Sequence, residues 1–193
     1  MRTFLRHQLW PAIASLAILT LITGFAYPAA ITAVAQVVFP DQANGSLIVV
    51  DGRTVGSSLI GQAFSDPKYF SGRPSAAGQG GYDASGSAGS NLGPTSKALI
   101  DRIASQVDEL RKANGDDPIP VDLVTASASG LDPDISPAAA EYQVARVAAA
   151  RGLTVDAVRA FVARHTEQPL LGFLGAAHVN VLKLNLDLDG LLQ

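Results

Sequence analysis

The chain of 193 residues has no cysteine and is poor in basic side chains. The absence of cysteine excludes a lipidated N-terminus and is compatible with an oxidising compartment. Fourteen Lys and Arg residues, less Arg2 and Arg6, leave twelve beyond residue 40, against seventeen acidic residues, a net charge of −5. This excess of negative charge argues against nucleic acid as a partner.

Charged side chains are also missing from residues 8–40. About 20 apolar residues cross a hydrocarbon core about 30 Å thick, and residues 10–34 supply that length. We therefore predict one membrane-spanning helix in contact with the lipid bilayer. Trp10 is expected at the interface, Pro11 in the first turn, and Pro28 at a kink or at the end of the regular helix.

A cleaved secretory signal is the alternative interpretation of this segment. Arg2 and Arg6 resemble a basic n-region, and Ala-Val-Ala at residues 33–35 resembles a cleavage site. A signal h-region has about 7 to 15 residues, however, and the apolar run here is about twice as long. The length favours an uncleaved anchor.

The basic residues around the helix predict its orientation. Arg2 and Arg6 precede it, whereas the next basic residue after it is Arg53. The positive side is expected in the cytoplasm, so residues 1–39 form a cytoplasmic tip and membrane helix, and residues 40–193 an extracytoplasmic domain.

Patterning predicts a compact α+β domain with a small, mostly antiparallel sheet and about three helices. Asp51-Gly52 is a typical turn between two strands of a hairpin at residues 46–50 and 53–55. Further strands are predicted at residues 59–64, 121–124 and 179–188, the last with a phase slip at Val181–Leu182 that indicates a bulge or a change of partner strand. Helices are predicted after the candidate N-caps Thr95, Ser136 and Thr154, ending at Gly115, Gly152 and about His165; Leu99, Ile103, Val107 and Leu110 of the first are expected in the core.

Two stretches have an unusual composition. Residues 69–94 are rich in glycine and serine, but no Gly-Lys-Ser/Thr closes the run, so a nucleotide P-loop is not supported. Residues 125–137 combine hydroxyl side chains with Asp132 and Asp134, which could bind a cation, although the calcium-loop pattern is missing. Asp132-Pro133 is also a typical turn before a capped helix.

Long motifs within these stretches and beyond them resemble a known family. They are Tyr-Phe-Ser-Gly-Arg-Pro-Ser at residues 69–75, Gly-Ser-Asn-Leu-Gly-Pro-Thr at 89–95, Val-Thr-Ala-Ser-Ala-Ser-Gly-Leu-Asp-Pro at 124–133, Ile-Ser-Pro-Ala-Ala-Ala at 135–140, and Val-Asn-Val-Leu with Leu-Asn-Leu at 179–186. The chain resembles the KdpC subunits of the Kdp potassium-transporting ATPases over its whole length, including the N-terminal helix.

The resemblance implies a non-catalytic accessory subunit in the bacterial inner membrane. Its partners would be the channel-like KdpA subunit, the KdpB subunit that hydrolyses ATP, and the small KdpF subunit. The family is described as a catalytic chaperone that raises the ATP affinity of the ATPase subunit, so ATP is implied by the resemblance only. An extracytoplasmic domain would have no direct access to cytoplasmic ATP.

Docking on the outer face of the channel-like subunit is the leading hypothesis for the exported domain. Residues 71–94 and 127–134 are the expected contact surfaces, with candidate contacts at Arg73, Ser90, Asn91, Ser127, Ser129 and Asp132. No catalytic or metal-ligating residue is expected. The alternative is a membrane-anchored exported serine hydrolase that uses Ser127 or Ser129 with His165 or His178.

Overall fold

A computed structural model describes the backbone of residues 2–191 and the side chains of residues 7–191. Arg2 and Arg6, on which the orientation rests, lie outside the described side chains. The chain divides into two compact units, with the boundary between Leu47 and Ile48.

The first unit is helical. It contains α1 (Arg2–Thr20), a π-helical segment (Leu21–Ala26), α2 (Tyr27–Val38) and the short α3 (Pro40–Ala43). Residues His7–Val38 are long and apolar enough to cross a membrane. Large apolar side chains are exposed all along this stretch, such as Trp10 and Phe25. A helix that is apolar on every side and uncovered by protein is typical of a membrane span.

Two prolines shape this helix. Pro11 lies inside α1 and not in its first turn as predicted, because the helix begins well before it. Pro28 cannot donate a backbone hydrogen bond, and its ring would clash with the carbonyl of Gly24 in a regular α-helix. The backbone widens before it, and Tyr27 N–H donates to the carbonyl of Ile22, five residues back. Regular α-helix is thus interrupted before Pro28, as predicted, and then resumes.

The rest of the chain is α+β, as predicted. Its elements are β1 (Leu47–Val50), β2 (Arg53–Ser57), α4 (Lys97–Asn114), a 3-10 turn (Val121–Leu123), β3 (Asp134–Ile135), α5 (Pro137–Arg151), α6 (Val155–Arg164), β4 (Thr166–Glu167), β5 (His178–Asn180) and α7 (Val181–Leu188). β1 and β2 form the predicted hairpin. β5 is the central strand of an antiparallel sheet, with Val179 opposite both Ile135 of β3 and Thr166 of β4.

The hydrophobic core lies between α5, α6, α7 and this small sheet. Its fully buried apolar side chains include Phe70, Val144, Val147, Val158, Val179 and Leu184. Ala139, Ala140 and Ala148 on α5 are also buried, and their small side chains let neighbouring elements approach closely. The core is therefore organised around α5.

The predicted helix ends of α5 and α6 are confirmed. Ser136 Oγ accepts a hydrogen bond from Ala139 N–H, and Thr154 Oγ1 accepts one from Ala157 N–H. Each hydroxyl satisfies a donor that the first helical turn leaves free. Gly152 ends α5 in the left-handed region, at φ 65°.

The strand predicted over residues 179–188 is wrong beyond Asn180. The Asn180 side chain accepts a hydrogen bond from Lys183 N–H and so caps the start of α7. The alternation of Leu with polar residues suggested a strand, but Val181, Leu184 and Leu188 also follow a helical spacing. The phase slip at Val181 marks this change from strand to helix.

Four other sequence predictions need correction. Residues 59–64 form no strand: Gly61 N–H donates to the carbonyl of Leu131, 2.8 Å away, which ties this segment to another loop. Residues 121–123 form a 3-10 turn. The N-cap position of α4 is Ser96 and not Thr95. The apolar stripe of α4 is only partly buried, with Leu110 packed against the core, because α4 packs mainly on α5.

Candidate functional site

The segment that leads into residues 71–94 is held by two side-chain amides. Asn185 Oδ1 accepts from Phe70 N–H at 2.8 Å, and Asn185 Nδ2 donates to the carbonyl of Phe70 at 2.9 Å. Gln143 Oε1 accepts from Ser71 N–H at 2.8 Å, and Gln143 Nε2 donates to the carbonyl of Ser71 at 3.1 Å. Both amides are 1% exposed. They replace the partner strand that this extended segment lacks.

Arg73 follows directly and joins the glycine-rich loop to the second unusual stretch. Its Nη1 lies 2.9 Å from Asp132 Oδ2, and both side chains are about three-quarters buried. Its Nη2 donates to the carbonyl of Thr125 at 3.4 Å. Tyr82 Oη donates to the carbonyl of Arg73 at 2.6 Å. Burial, together with the nearby Asp132 carboxylate and against the opposing effect of Arg73, raises the pKa of Tyr82 to about 12.

A second set of contacts fastens the loop to residues 125–134. Ser75 Oγ donates to the carbonyl of Gly130 at 2.6 Å and accepts from Tyr82 N–H at 2.7 Å. Ala88 N–H donates to the carbonyl of Ser129 at 2.9 Å. We call the two packed segments, residues 71–94 and 125–134, the loop–turn assembly.

Glycine is required where the two segments cross. Gly130 has φ +68°, and a Cβ there would lie 2.6 Å from the carbonyl oxygen of Ala88 and 2.7 Å from the nitrogen of Ala77. A Cβ on Gly89 would lie 2.8 Å from the carbonyl oxygen of Ala128. These glycines permit the close backbone approach between the two segments.

Four of the six candidate contact residues lie within the packed part of this assembly. Arg73 and Asp132 form its ion pair. Ser127 Oγ accepts from Gly130 N–H at 2.9 Å, and Ser129 Oγ accepts from Leu131 N–H at 3.1 Å, so both serines stabilise the turn. The other two lie where the loop leaves the crossing. Ser90 is half-buried, and Asn91 is exposed with φ 50°.

The histidines have other partners. His165 Nε2 lies 2.8 Å from Asp187 Oδ2. His178 Nε2 lies 3.7 Å from Glu167 Oε2 and 4.0 Å from Asp134 Oδ2. Burial raises the pKa of Asp134, and His178 opposes that rise. Within residues 7–191, no hydrogen bond joins either histidine to Ser127 or Ser129, so the contacts give the hydrolase alternative no catalytic pair.

A groove of about 570 Å³ borders the assembly. Its lining combines apolar residues, among them Val121 and Ile135, with the charged side chains of Arg73, Asp122, Asp132 and Asp134. Ala176 and Ala177 line it as well. The groove therefore connects the ion pair with the segment that precedes β5.

Sequence reasoning missed the two amides that hold Phe70 and Ser71. Asn185 belongs to the Leu-Asn-Leu motif and was assigned to the polar face of a strand. Gln143 lies among the small residues of α5. A polar side chain in an otherwise apolar stretch was the available signal, because a buried amide requires a hydrogen-bond partner.

Comparison with known proteins identifies the family. The family model described as the K+-transporting ATPase c chain matches residues 9–190. The potassium-transporting ATPase KdpC subunit of Sorangium cellulosum is 62% identical over 185 residues, which cover 95% of this chain and 97% of the relative. That of Polaromonas naphthalenivorans is 59% identical, with 97% and 96% covered. That of Herpetosiphon aurantiacus is 56% identical, with 98% and 97% covered.

The match includes almost all of the apolar helix, which fits a membrane protein. It also includes every residue of the loop–turn assembly. The chain belongs to the KdpC family, the c chains of K+-transporting ATPases.

Proposed function

We propose that this chain is a non-catalytic accessory subunit that supports the assembly and activity of an ATP-driven potassium uptake complex. The helix within residues 1–39 anchors it in the bacterial inner membrane with the N-terminus in the cytoplasm, and residues 40–193 lie outside. The loop–turn assembly docks on the outer face of the channel-like KdpA subunit. KdpB carries the ATPase activity, and KdpF completes the complex.

The loop–turn assembly is the observation that supports docking most directly. Two segments without regular secondary structure are fixed to each other through Arg73–Asp132, Ser75–Gly130 and Ala88–Ser129. A surface that is already ordered loses little conformational entropy when a partner binds.

The family's role as a catalytic chaperone fits this placement only as an indirect effect. A domain outside the membrane cannot contact cytoplasmic ATP, so any increase in the ATP affinity of KdpB would reach it through the other subunits or the membrane helix. Direct binding of ATP would instead predict nucleotide crosslinking to residues 41–193 in the intact complex.

Protease digestion of right-side-out spheroplasts tests the orientation. We expect digestion of residues 41–193 from outside, with a membrane-bound fragment left behind. Protection of that domain until the membrane is opened would contradict the orientation. Release of the whole domain in soluble form without protease would instead support a cleaved signal.

The docking surface is tested by Asn91→Gly in the full complex. This change removes an exposed amide and keeps a residue suited to φ 50°. Asp51→Gly is the matched control, because Asp51 is exposed at φ 49° in the β1–β2 turn. We expect Asn91→Gly to lower co-purification with KdpA and potassium uptake several-fold, and Asp51→Gly to change neither. Equal behaviour of the two variants would contradict docking through Asn91.

A further inference from the structure

The central strand of the small sheet places a histidine between two carboxylates. His178 of β5 lies opposite Glu167 of β4 in the strand register, and Asp134 lies on β3, on the other side of β5. His178 Nε2 is 3.7 Å from Glu167 Oε2 and 4.0 Å from Asp134 Oδ2. The imidazole is 39% exposed, so it exchanges protons with the solvent. One side chain thus faces a carboxylate from each neighbouring strand.

The other ring nitrogen determines where the neutral imidazole carries its proton. His178 Nδ1 lies 3.1 Å from the carbonyl oxygen of Ala176. A carbonyl oxygen can only accept a hydrogen bond, so Nδ1 must carry a hydrogen. Nε2 of the neutral ring then presents a lone pair to the two carboxylates and repels them. The protonated ring, which has an N–H at Nε2, attracts both.

Asp134 depends on this positive charge more than Glu167 does. The Asp134 side chain is 31% exposed, against 56% for Glu167. Burial raises the pKa of Asp134, while His178 and the hydrogen bond from Asn180 Nδ2 oppose the rise. A carboxyl group with a raised pKa stabilises the fold below its ordinary pKa and loses this contribution as the pH rises. Near neutral pH the charged Asp134 therefore costs stability, and a protonated His178 offsets part of that cost.

The other charged groups around His178 have partners of their own. Lys183 Nζ on α7 lies 3.4 Å from Glu167 Oε1 and weakens the attraction of Glu167 to His178. The remaining pairs are Arg73 with Asp132 and Asp122 with Ser136 in the groove, Glu141 with Arg159, Arg146 with the carbonyls of Pro67 and Tyr69, Arg151 with Asp189, and Asp187 with His165. Histidine is the side chain that ordinarily changes charge near neutral pH, so His178 sets the charge of this site.

We propose that His178 is a pH-dependent bridge: its protonated ring holds Asp134 of β3 and Glu167 of β4 to β5, and loss of the Nε2 proton releases both carboxylates. β3 and β4 have two residues each, so few backbone hydrogen bonds join them to β5 and the side-chain attraction matters more. Loss of the proton also makes the groove of about 570 Å³, which His178 and Asp134 line, more negative. This inference concerns the second unit alone and does not depend on the proposed function.

NMR of the histidine-labelled full chain in detergent, from about pH 5 to about pH 8, tests the bridge. His178→Gln identifies the His178 signal. We expect the neutral ring to carry its proton on Nδ1. Glu167→Gln should lower the pH midpoint of the His178 titration by about 0.2 to 0.7 units, the effect of losing one exposed ion pair. Lys183→Gln removes the opposing cation and should raise this midpoint.

Glu141→Gln is the matched control for the titration. It also removes a carboxylate, but one that pairs with Arg159 on α6, so the His178 midpoint should not change. A neutral ring with its proton on Nε2 would overturn the proposal. Equal midpoints for Glu167→Gln and Glu141→Gln would overturn it as well.

Thermal unfolding of the unchanged chain and of His178→Gln measures what the bridge contributes to stability. His7 and His165 are present in both chains, so their titration cancels in the difference. At about pH 6 we expect His178→Gln to melt about 1 to 4 °C lower, and at about pH 8 the difference should shrink. A difference of equal size at both pH values would indicate a packing role and overturn the bridge, as would no difference at either.

Discussion

Replacing Gly130 with alanine tests whether the crossing of the loop–turn assembly is as tight as the structure indicates. The left-handed φ of +68° would cost an alanine about 1 to 2 kcal/mol. The new Cβ would also lie 2.6 Å from the carbonyl oxygen of Ala88 and 2.7 Å from the nitrogen of Ala77, both backbone atoms. Overpacking against groups that cannot rotate away costs about 1 to 3 kcal/mol more. We therefore expect Gly130→Ala to lower the free energy of unfolding by about 2 to 5 kcal/mol.

Gly152→Ala is the matched control for this prediction. Gly152 has nearly the same φ, +65°, but among the described residues no atom lies within 4 Å of its added Cβ. Only the conformational cost of about 1 to 2 kcal/mol should appear. Thermal unfolding of the full chain in detergent, followed by circular dichroism, measures both variants, and about 2 to 4 °C is expected per kcal/mol. Equal melting temperatures for the two variants would refute the close crossing at Gly130.

Further predictions concern the hydrogen bonds around the assembly. Asn185→Leu should lower the free energy of unfolding by about 2 to 5 kcal/mol, because it leaves the buried N–H and carbonyl of Phe70 unpaired; denaturant titration of the full chain measures this. Tyr82 has a pKa of about 12 in the folded chain against 10.0 ordinarily, so its contribution to stability is complete below pH 10 and is lost as the pH rises from 10 to about 12. Tyr82→Phe should flatten the pH dependence of the melting temperature in that window, and an unchanged slope would contradict this. A double-mutant cycle with Arg73→Ala and Asp132→Ala should give a coupling of about 1 kcal/mol, and additive effects would show that their contact contributes nothing.

The sequence predicts most helix boundaries of the second unit because those boundaries are local. Ser136 and Thr154 cap their helices with their own hydroxyls, and Gly152 supplies a left-handed residue that few other types accept. These boundaries can be predicted without knowing any contact between distant parts of the chain. The π-helical segment before Pro28 follows from local geometry too, since a missing N–H and a bulky ring act on the preceding turn.

Two of the failed predictions depend on distant contacts. α7 was predicted as a strand because Leu and polar residues alternate, and its helical state is stabilised by burial of Leu184 and by the bonds from Asn185 to Phe70, 115 residues earlier in the chain. Residues 59–64 were predicted as a strand, but within the part of the chain that the structure describes they pair with no strand, and Gly61 N–H donates instead to the carbonyl of Leu131. The periodicity of the apolar residues alone cannot distinguish a strand from a helix in such short runs.

The sequence singled out residues of the candidate site, but it did not predict the contacts between them. Arg73 and Asp132 were singled out separately, and their ion pair spans 59 positions of the chain. Ser127 and Ser129 were considered as nucleophiles and as partner contacts; each accepts a hydrogen bond from a backbone N–H two or three residues ahead, which is a common use of serine in turns. The exposure of Leu171 and Phe173 went unnoticed because only the structure shows it.

Side-chain hydrogen bonds to residues 66–75 hold the start of the glycine-rich loop in one conformation. Loops usually lose contacts first when a protein opens locally. Here Arg146 donates to the carbonyls of Pro67 and Tyr69 at 2.6 and 3.0 Å, just before the amides of Gln143 and Asn185 engage the next two residues. Burial lowers the pKa of Arg146, so its charge is maintained at a cost that these carbonyl contacts offset. Polar side chains from α5 and α7 thus supply in sequence the hydrogen bonds that a neighbouring strand would supply to this segment.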